Sequence, residues 1–140
     1  MLDLNNHIGA WEGDWQTFLV PGELHAEGPV RGTIDRDDDG FVIEYSGPIG
    51  DVDATGRLRW SERDGATTVD WVDSWHTSGK TERLEGTADS APSFRYAGDD
   101  PWTWDITIEA DDSGVTVTHH NTGPRTPRYV AVVMRLTKLL

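Results

Sequence analysis

The sequence predicts an all-β protein, an antiparallel up-and-down β-barrel of about ten strands. Turn-forming pairs such as Pro21-Gly22 and Asp64-Gly65 recur at short, even intervals, which is typical of hairpins. Between the turns lie runs rich in Trp, Val, Ile, Thr and Tyr that alternate with period two, as in 102–109. No stretch keeps apolar residues at the spacing of a packed helix, so all of the structure is expected to be strands and turns.

These runs place the strands at 10–20, 26–36, 41–47, 54–63, 67–76, 80–88, 92–97, 102–110, 114–121 and 128–138. Only residues 1–8 could form a short helix. Because hairpin-linked strands in so small a domain would leave long sheet edges exposed, a closed barrel is favoured over a two-sheet sandwich. A barrel of about ten strands encloses a cavity unless large side chains fill it, and seven Trp are available to do so.

Length and charge narrow the classes of function. The 140 residues suit one domain, 1–140, in which 1–8 lead into the barrel. With 12 Lys and Arg against 25 Asp and Glu, the net charge is −13, which argues against nucleic acid and anionic membranes as partners. The chain has no Cys and no apolar run of the ~20 residues that a membrane helix needs. We therefore expect an acidic, cytoplasmic protein without a thiolate site.

The first predicted strand opens with a short motif. Residues 8–13, Ile-Gly-Ala-Trp-Glu-Gly, look like the G-x-W-x-G opening of calycin barrels, in which the Trp plugs one barrel end. Together with segments at 41–45, 71–75, 101–104 and 133–137, this motif resembles the DUF1579 family over residues 8–138. The resemblance implies a lipocalin-like small β-barrel with an interior cavity, and it implies no particular reaction.

The same opening is shared with nitrobindin-type haem barrels, in which a His near the start of the last strand binds iron. The last strand here begins Arg128-Tyr129-Val130. We therefore predict no haem, no other cofactor and no metal.

Residues 69–77 are the densest in usable chemistry. Strand alternation places Trp71, Asp73 and Trp75 on one face and His76 on the other. Two Trp around one Asp suggest an apolar wall with a single polar anchor for a ligand. Desolvation would also raise the pKa of Asp73, as a general acid or base requires. The alternative is a rim carboxylate that accepts a structural hydrogen bond, and His76 is expected on the surface unless a bulge intervenes.

His119 and His120 are neighbours in a strand, so they face opposite ways and cannot hold one metal together. If Val115 and Val117 point inward, His119 does too. An interior His near neutral pH could carry a proton or anchor a ligand. It could equally be a core His that is hydrogen-bonded to a neighbour.

Further candidates come from aromatic and basic residues. Trp102 and Trp104 share one face of their strand, and Tyr45 could contribute a hydroxyl to a pocket. The family resemblance places Met134 inside. Arg83 lies on the strand next to 67–76 and is a possible carboxylate partner.

The last strand is apolar on both faces, so Tyr129, Ala131 and Val133 are predicted to form an outward patch for a possible homodimer.

Three hypotheses follow. The barrel binds a small apolar or aromatic molecule inside; or it is a cofactor-free cyclase, isomerase or lyase in which Asp73 or His119 moves a proton; or it is a filled barrel that acts through its surface. The first is the main prediction. Its ligand-binding residues are Tyr45, Trp71, Asp73, Trp75, Arg83, Trp102, Trp104, His119 and Met134.

Overall fold

The computed structural model describes residues 2–96 and 101–139, and these form a closed antiparallel barrel. A short 3₁₀ turn at Asn5–His7 precedes the strands. The ten strands are β1 (Gly9–Val20), β2 (Glu23–Asp37), β3 (Gly40–Ile49), β4 (Val52–Arg63), β5 (Ala66–Asp73), β6 (Glu82–Thr87), β7 (Ser90–Arg95), β8 (Thr103–Asp111), β9 (Gly114–Thr122) and β10 (Tyr129–Lys138). Each pairs with the next, and β10 returns to β1. The prediction of a ten-stranded up-and-down barrel is confirmed, and a two-sheet sandwich is excluded.

The predicted strand bounds agree with the structure to within three residues at every described end. Residue 97 of the predicted seventh strand, and the turn predicted at 98–100, lie outside the described residues. The largest consequence is at β5, which ends at Asp73 rather than at residue 76. Residues 74–81 leave the sheet and form a loop.

Because consecutive strands run in opposite directions, successive connections lie alternately at one end of the barrel and at the other. We call one end the mouth, defined by the connections β1–β2, β3–β4, β5–β6, β7–β8 and β9–β10. The other end, the base, carries the remaining hairpins and the N-terminal segment. At the base Leu4 is fully buried in the core, and the Trp11 indole N–H donates to the carbonyl oxygen of His7 over 2.7 Å.

Large side chains fill most of the interior. Five of the seven Trp expose less than a tenth of their surface, namely Trp11, Trp15, Trp60, Trp71 and Trp104. Val, Ile and Leu side chains from all parts of the barrel pack around them. Because indoles bring large apolar areas into few positions, a chain with only 36% apolar residues still builds a continuous core.

Two glycines permit close approaches that the barrel requires. A Cβ on Gly13 would lie 1.7 Å from the carbonyl oxygen of Arg135, so β1 meets β10 closely only because residue 13 has no side chain. A Cβ on Gly56 would lie 2.2 Å from the Tyr45 ring. The Tyr45 ring therefore lies flat against the backbone of the neighbouring strand.

The last strand corrects one expectation. A register shift lies between Val130 and Val132, and it leaves Ala131 as the additional residue. Ala131 and Val133 are only 3% and 8% exposed. The outward apolar patch predicted for Tyr129, Ala131 and Val133 is therefore not present as exposed surface, because two of its three residues are buried and the bulge at Ala131 interrupts the alternation of the strand.

No helix among residues 2–96 and 101–139 is long and apolar enough to cross a membrane.

Candidate functional site

Asp73 is the last residue of β5, and the loop that follows folds back over its side chain. Its Oδ1 accepts hydrogen bonds from the backbone N–H groups of Trp75 (3.1 Å) and Thr77 (2.7 Å). The backbone N–H of Gly79 donates to the Asp73 carbonyl over 2.8 Å. Ser78 and Gly79 both have positive φ, at 54° and 83°, and this left-handed backbone turns the chain back.

His76 forms a pair with Asp73. Its Nδ1 lies 2.8 Å from Oδ2 of Asp73, and the two side chains are only 17% and 7% exposed. The prediction of a surface His76 on the opposite face is therefore wrong. Strand alternation no longer applies after Asp73, because the strand has ended and the loop brings the ring back over the carboxylate.

The pKa of Asp73 is lowered, whereas the sequence predicted a raised value. Burial favours the neutral acid and is the largest single influence, but the hydrogen bond and charge of His76 together with the Thr77 amide outweigh it. The carboxyl group is therefore ionised at neutral pH and accepts hydrogen bonds only. Nδ1 of His76 must be the donor, which leaves Nε2 with the free lone pair whenever the ring is neutral.

His119 lies inside the barrel, as the alternation of β9 predicts, and is 3% exposed. The Trp104 indole N–H donates to its Nδ1 over 3.0 Å. Since an indole can only donate, Nδ1 is the acceptor and the proton of the neutral ring is on Nε2. Burial lowers the pKa of His119 to about 3, with the positive charge of His76 adding to the effect. His119 is thus a neutral hydrogen-bonding group at physiological pH rather than a proton carrier near pH 7.

Aromatic rings occupy the space next to these two histidines. Trp71 stacks on Trp104 with ring centroids 5.0 Å apart and planes 13° from parallel. The Trp71 indole N–H donates to the Tyr45 hydroxyl over 3.3 Å. Burial raises the pKa of Tyr45, so its hydroxyl stays protonated. With the two indoles in contact, a ligand cannot lie between Trp71 and Trp104, and the centre of the barrel is filled.

A small cavity remains towards the mouth. Polar side chains of Tyr45, Thr55, Asp73, His76 and His119 line part of it. The rest of its wall is apolar and consists of Trp15, Ile49, Ala54 and Val132. The volume within which the centre of a water molecule fits is about 10 Å³. This is close to the minimum volume that can contain one water.

Trp75 belongs to the mouth loop that follows β5 and contacts His76, one of the residues that line this cavity. Its ring meets His76 edge-on at 4.5 Å between centroids and stacks on His25 of β2 at 5.6 Å. The sequence predicted Trp75 on the same strand face as Trp71, but the structure places it in the loop after β5. Ser74 anchors that loop to β4 through two hydrogen bonds with the Thr55 backbone, at 2.9 and 3.0 Å.

The mouth also carries most of the exposed apolar surface. Among the described residues six large apolar side chains are exposed, and five of them lie at this end: Leu19, Val20, Leu24, Val52 and Tyr96. The sixth, Leu139, lies at the base. Clustered apolar exposure is a feature of ligand entrances and interaction sites.

Of the nine predicted ligand-binding residues, Tyr45, Asp73 and His119 line the cavity. The other six do not line it: Trp71, Trp75 and Trp104, whose positions are given above, and Arg83, Met134 and Trp102. Arg83 points outward and forms a bidentate pair with Asp70, at 2.9 and 3.2 Å, instead of reaching the cavity. Met134 is buried in the core beyond the cavity wall. Trp102 packs against Gly123 at the mouth, where a Cβ would come within 2.8 Å of the indole ring.

Sequence reasoning did not identify the roles of His76, Thr77 and His25. The Ser78-Gly79 pair was the available signal, since a turn at that point ends the strand early and folds the following residues back. Asn121, which shares the inner face of β9 with His119, has a buried Oδ1 without a hydrogen-bond partner among the described residues. In the same described part of the chain, no three His, Asp or Glu side chains are arranged as metal ligands.

Compared with models of known protein families and with curated proteins, the chain matches none. The similarity to DUF1579 proteins therefore rests on the sequence motifs alone and stays a prediction.

Proposed function

We propose that this barrel binds a small, mostly apolar molecule at its mouth, with one polar group of the ligand hydrogen-bonded inside. The observation that carries the proposal is the composition of the mouth-side cavity. Apolar side chains form one part of its wall, while Tyr45, Asp73, His76 and His119 form the other. A few fixed polar groups in an otherwise apolar wall are the usual arrangement of a small-molecule site.

The polar groups are held in defined states before any ligand arrives. His119 presents an Nε2–H donor because Trp104 occupies its Nδ1, and Asp73 orients His76. A ligand hydroxyl or carbonyl can therefore be bound without reorganisation of the site, which limits the entropic cost of binding.

Space for a ligand requires movement of the mouth. The cavity holds about one water as it stands, so a larger molecule must displace a side chain. Trp75 is the candidate, because it belongs to the loop after β5 rather than to the sheet and is half-buried against His25. The exposed apolar side chains around the mouth supply further contact area for the ligand.

A pair of quenching compounds tests the proposal by tryptophan fluorescence. 4-Nitrobenzyl alcohol and 4-nitrotoluene share a ring and differ in one hydroxyl group. We expect saturable quenching by both, with the alcohol bound about five- to tenfold more tightly, the effect of about one hydrogen bond. Trp75→Ala should weaken binding, whereas Trp60→Phe at the base is the matched control and should not. Linear quenching alone, from these compounds and from a wider aromatic panel, would contradict the proposal.

A second candidate function is favoured by the Asp73–His76 pair. A buried carboxylate that orients an imidazole leaves Nε2 free as a base, so the same site could catalyse proton transfer without a cofactor. His119, which the sequence also offered as an acid or base, is less suited because burial lowers its pKa to about 3.

A general probe of a positioned base separates the two candidates. In 5-nitrobenzisoxazole, Nε2 of His76 would take the C3 proton while the N–O bond breaks, giving a nitrile and a phenolate. Asp73→Asn would reverse the His76 tautomer and should slow this reaction more than tenfold, with 4-nitrobenzyl alcohol still bound. A rate equal to that of free imidazole at the same concentration would leave binding as the only supported function.

A further inference from the structure

The barrel wall is incomplete near the base, between β7 and β8. Their registered pairing covers three residue pairs and stops at Ser93↔Asp105. β8 nevertheless continues to Asp111, and β9 pairs with it along that whole length. From Ile106 onward, one edge of β8 thus has no partner strand among the described residues.

Pro92 explains why the pairing stops. Continued in register, β7 would place Pro92 opposite Ile106. Tyr96 N–H donates a hydrogen bond to the Trp102 carbonyl. Because antiparallel pairing alternates along a strand, the backbone N–H and C=O groups of the even-numbered residues of β8 therefore point towards β7. Pro92 has no N–H to donate to Ile106, and a proline ends a ladder at this kind of position. The N–H and C=O groups of Ile108 and Ala110 are therefore directed into the gap.

The gap opens into a cleft of about 870 Å³. Its floor includes Trp60, Ile106 and Ile108, and its sides are the β4–β5 and β6–β7 hairpins. The cleft is separate from the mouth-side cavity and lies at the other end of the barrel. The open edge from Ile106 to Ala110 has the length of about five residues of an added strand, at ~3.4 Å per residue.

The charges around the cleft select its occupant. Asp3, Glu62, Asp64 and Asp89 line it, and among the described residues of the lining Arg63 is the one basic residue. Arg63 is already paired with Asp39 at 2.8 Å. A second copy of this chain would bring the same carboxylates and a net charge of −13, so pairing of two such edges is opposed by repulsion.

We propose that the open edge of β8 binds an extended, cationic peptide segment of another protein, which adds a strand to the barrel wall at residues 106–110. Backbone hydrogen bonds to Ile108 and Ala110 would supply the pairing. Alternate side chains of the peptide would lie on Trp60 and Ile108, and its Lys or Arg residues would face Asp64 and Asp89.

Two synthetic peptides of equal charge test this interaction. Acetyl-Lys-Val-Lys-Val-Lys-Val-Lys-amide can pair as a strand, whereas the same peptide with Pro in place of each Val keeps the charge and loses alternate N–H donors. Amide hydrogen exchange is followed by NMR. We expect the Val peptide to slow exchange at Ile108 and Ala110 at least tenfold, and the Pro peptide to leave it unchanged.

Protein variants separate edge pairing from general attraction to an acidic protein. Asp89→Lys should weaken binding of the Val peptide at least threefold, while Asp51→Lys at the mouth makes the same charge change and should have less than half that effect. Ala110→Pro removes one edge donor that the barrel itself does not use, and should abolish the protection at Ile108.

Equal binding of both peptides without protection at β8 would overturn the proposal. So would protection of Ile108 and Ala110 that rises with protein concentration in the absence of peptide, because the occupant would then be a second copy.

Discussion

The indole N–H of Trp104 donates to Nδ1 of His119 over 3.0 Å, and this bond determines which nitrogen of the buried imidazole carries the proton. The two residues lie on neighbouring strands, where His119 is registered with Ile106. The result is a neutral ring with its proton on Nε2, in a residue that lines the mouth-side cavity. Hydrogen bonds of this kind, each between two defined side chains, allow several predictions about the site.

We predict that His119 keeps a single neutral tautomer between pH 5 and pH 8, because burial lowers its pKa to about 3. Nitrogen-15 NMR of the imidazole should show a protonated Nε2 and an unprotonated Nδ1 throughout that range. Trp104→Phe removes the donor and should allow the second tautomer to appear. Titration of His119 near its ordinary pKa of about 6.5 would show that the ring is not buried as described.

Replacement of Asp73 should distinguish its two hydrogen-bonding roles. Asp73→Asn retains an Oδ1 acceptor for the amides of Trp75 and Thr77, so we expect a loss of about 1 kcal/mol in the free energy of unfolding. Asp73→Ala leaves three donors without an acceptor and should cost about 1–3 kcal/mol more. Urea unfolding of both variants measures the difference, and equal losses would mean that the loop does not depend on Oδ1.

The lowered pKa of Asp73 predicts how its contribution varies with pH. Because the folded pKa lies below the unfolded value of about 3.9, the ionised carboxylate stabilises the fold above that value. The contribution is lost as pH falls through the lower, folded pKa. The stability difference between the wild type and Asp73→Asn should therefore be constant from pH 5 to pH 7 and shrink below pH 4. A difference that grows on acidification would give the opposite sign for the shift.

Gly56→Ala should destabilise the barrel by about 1–3 kcal/mol, because the added methyl group would overlap the Tyr45 ring at 2.2 Å. Tyr45 cannot move aside easily, since it is buried and accepts a hydrogen bond from Trp71. In the Tyr45→Ala background the same substitution should cost much less. Thermal unfolding of the two single variants and the double variant measures this coupling; additive effects would exclude the steric explanation.

Two outward-facing Arg–Asp pairs make a matched comparison. Arg83 pairs with Asp70, whose side chain is 27% exposed, while Arg128 pairs with Asp105, whose side chain is 11% exposed. Arg128→Ala should lower the urea midpoint more than Arg83→Ala, because it leaves a buried carboxylate. Arg83→Ala should also leave quenching by 4-nitrobenzyl alcohol unchanged. A weaker affinity in that variant would support the original assignment of Arg83 to the ligand site.

The barrel could be predicted from the sequence because the patterns that determine its strands and turns involve residues close together in the chain. Period-two alternation and turn pairs determine strand after strand, and the length of the chain then favours closure. The inward positions of Asp73 and His119 follow from the same alternation. The hydrogen-bond partners of these residues cannot be predicted in this way. Trp104 reaches His119 because of the register between β8 and β9, and the alternation within one strand does not determine that register.

The Asp73–His76 pair shows where that reasoning fails. Residues 67–76 have the composition of one continuous strand, but the chain leaves the sheet at Asp73. Three donors within the next four residues, two backbone N–H groups and the His76 ring, hydrogen-bond to the buried carboxylate and offset the cost of its burial. These local hydrogen bonds outweigh those that continued pairing with β6 would provide. An acidic residue within an apolar strand, followed by Ser-Gly, is a signal of such an early end.

The stacked arrangement of Trp71 and Trp104 also has an optical consequence. With centroids 5.0 Å apart, the electronic transitions of the two indoles interact, and excitation of one is shared with the other. Any event that separates the rings changes the spectra of both together, so this protein contains an intrinsic reporter of its own core geometry.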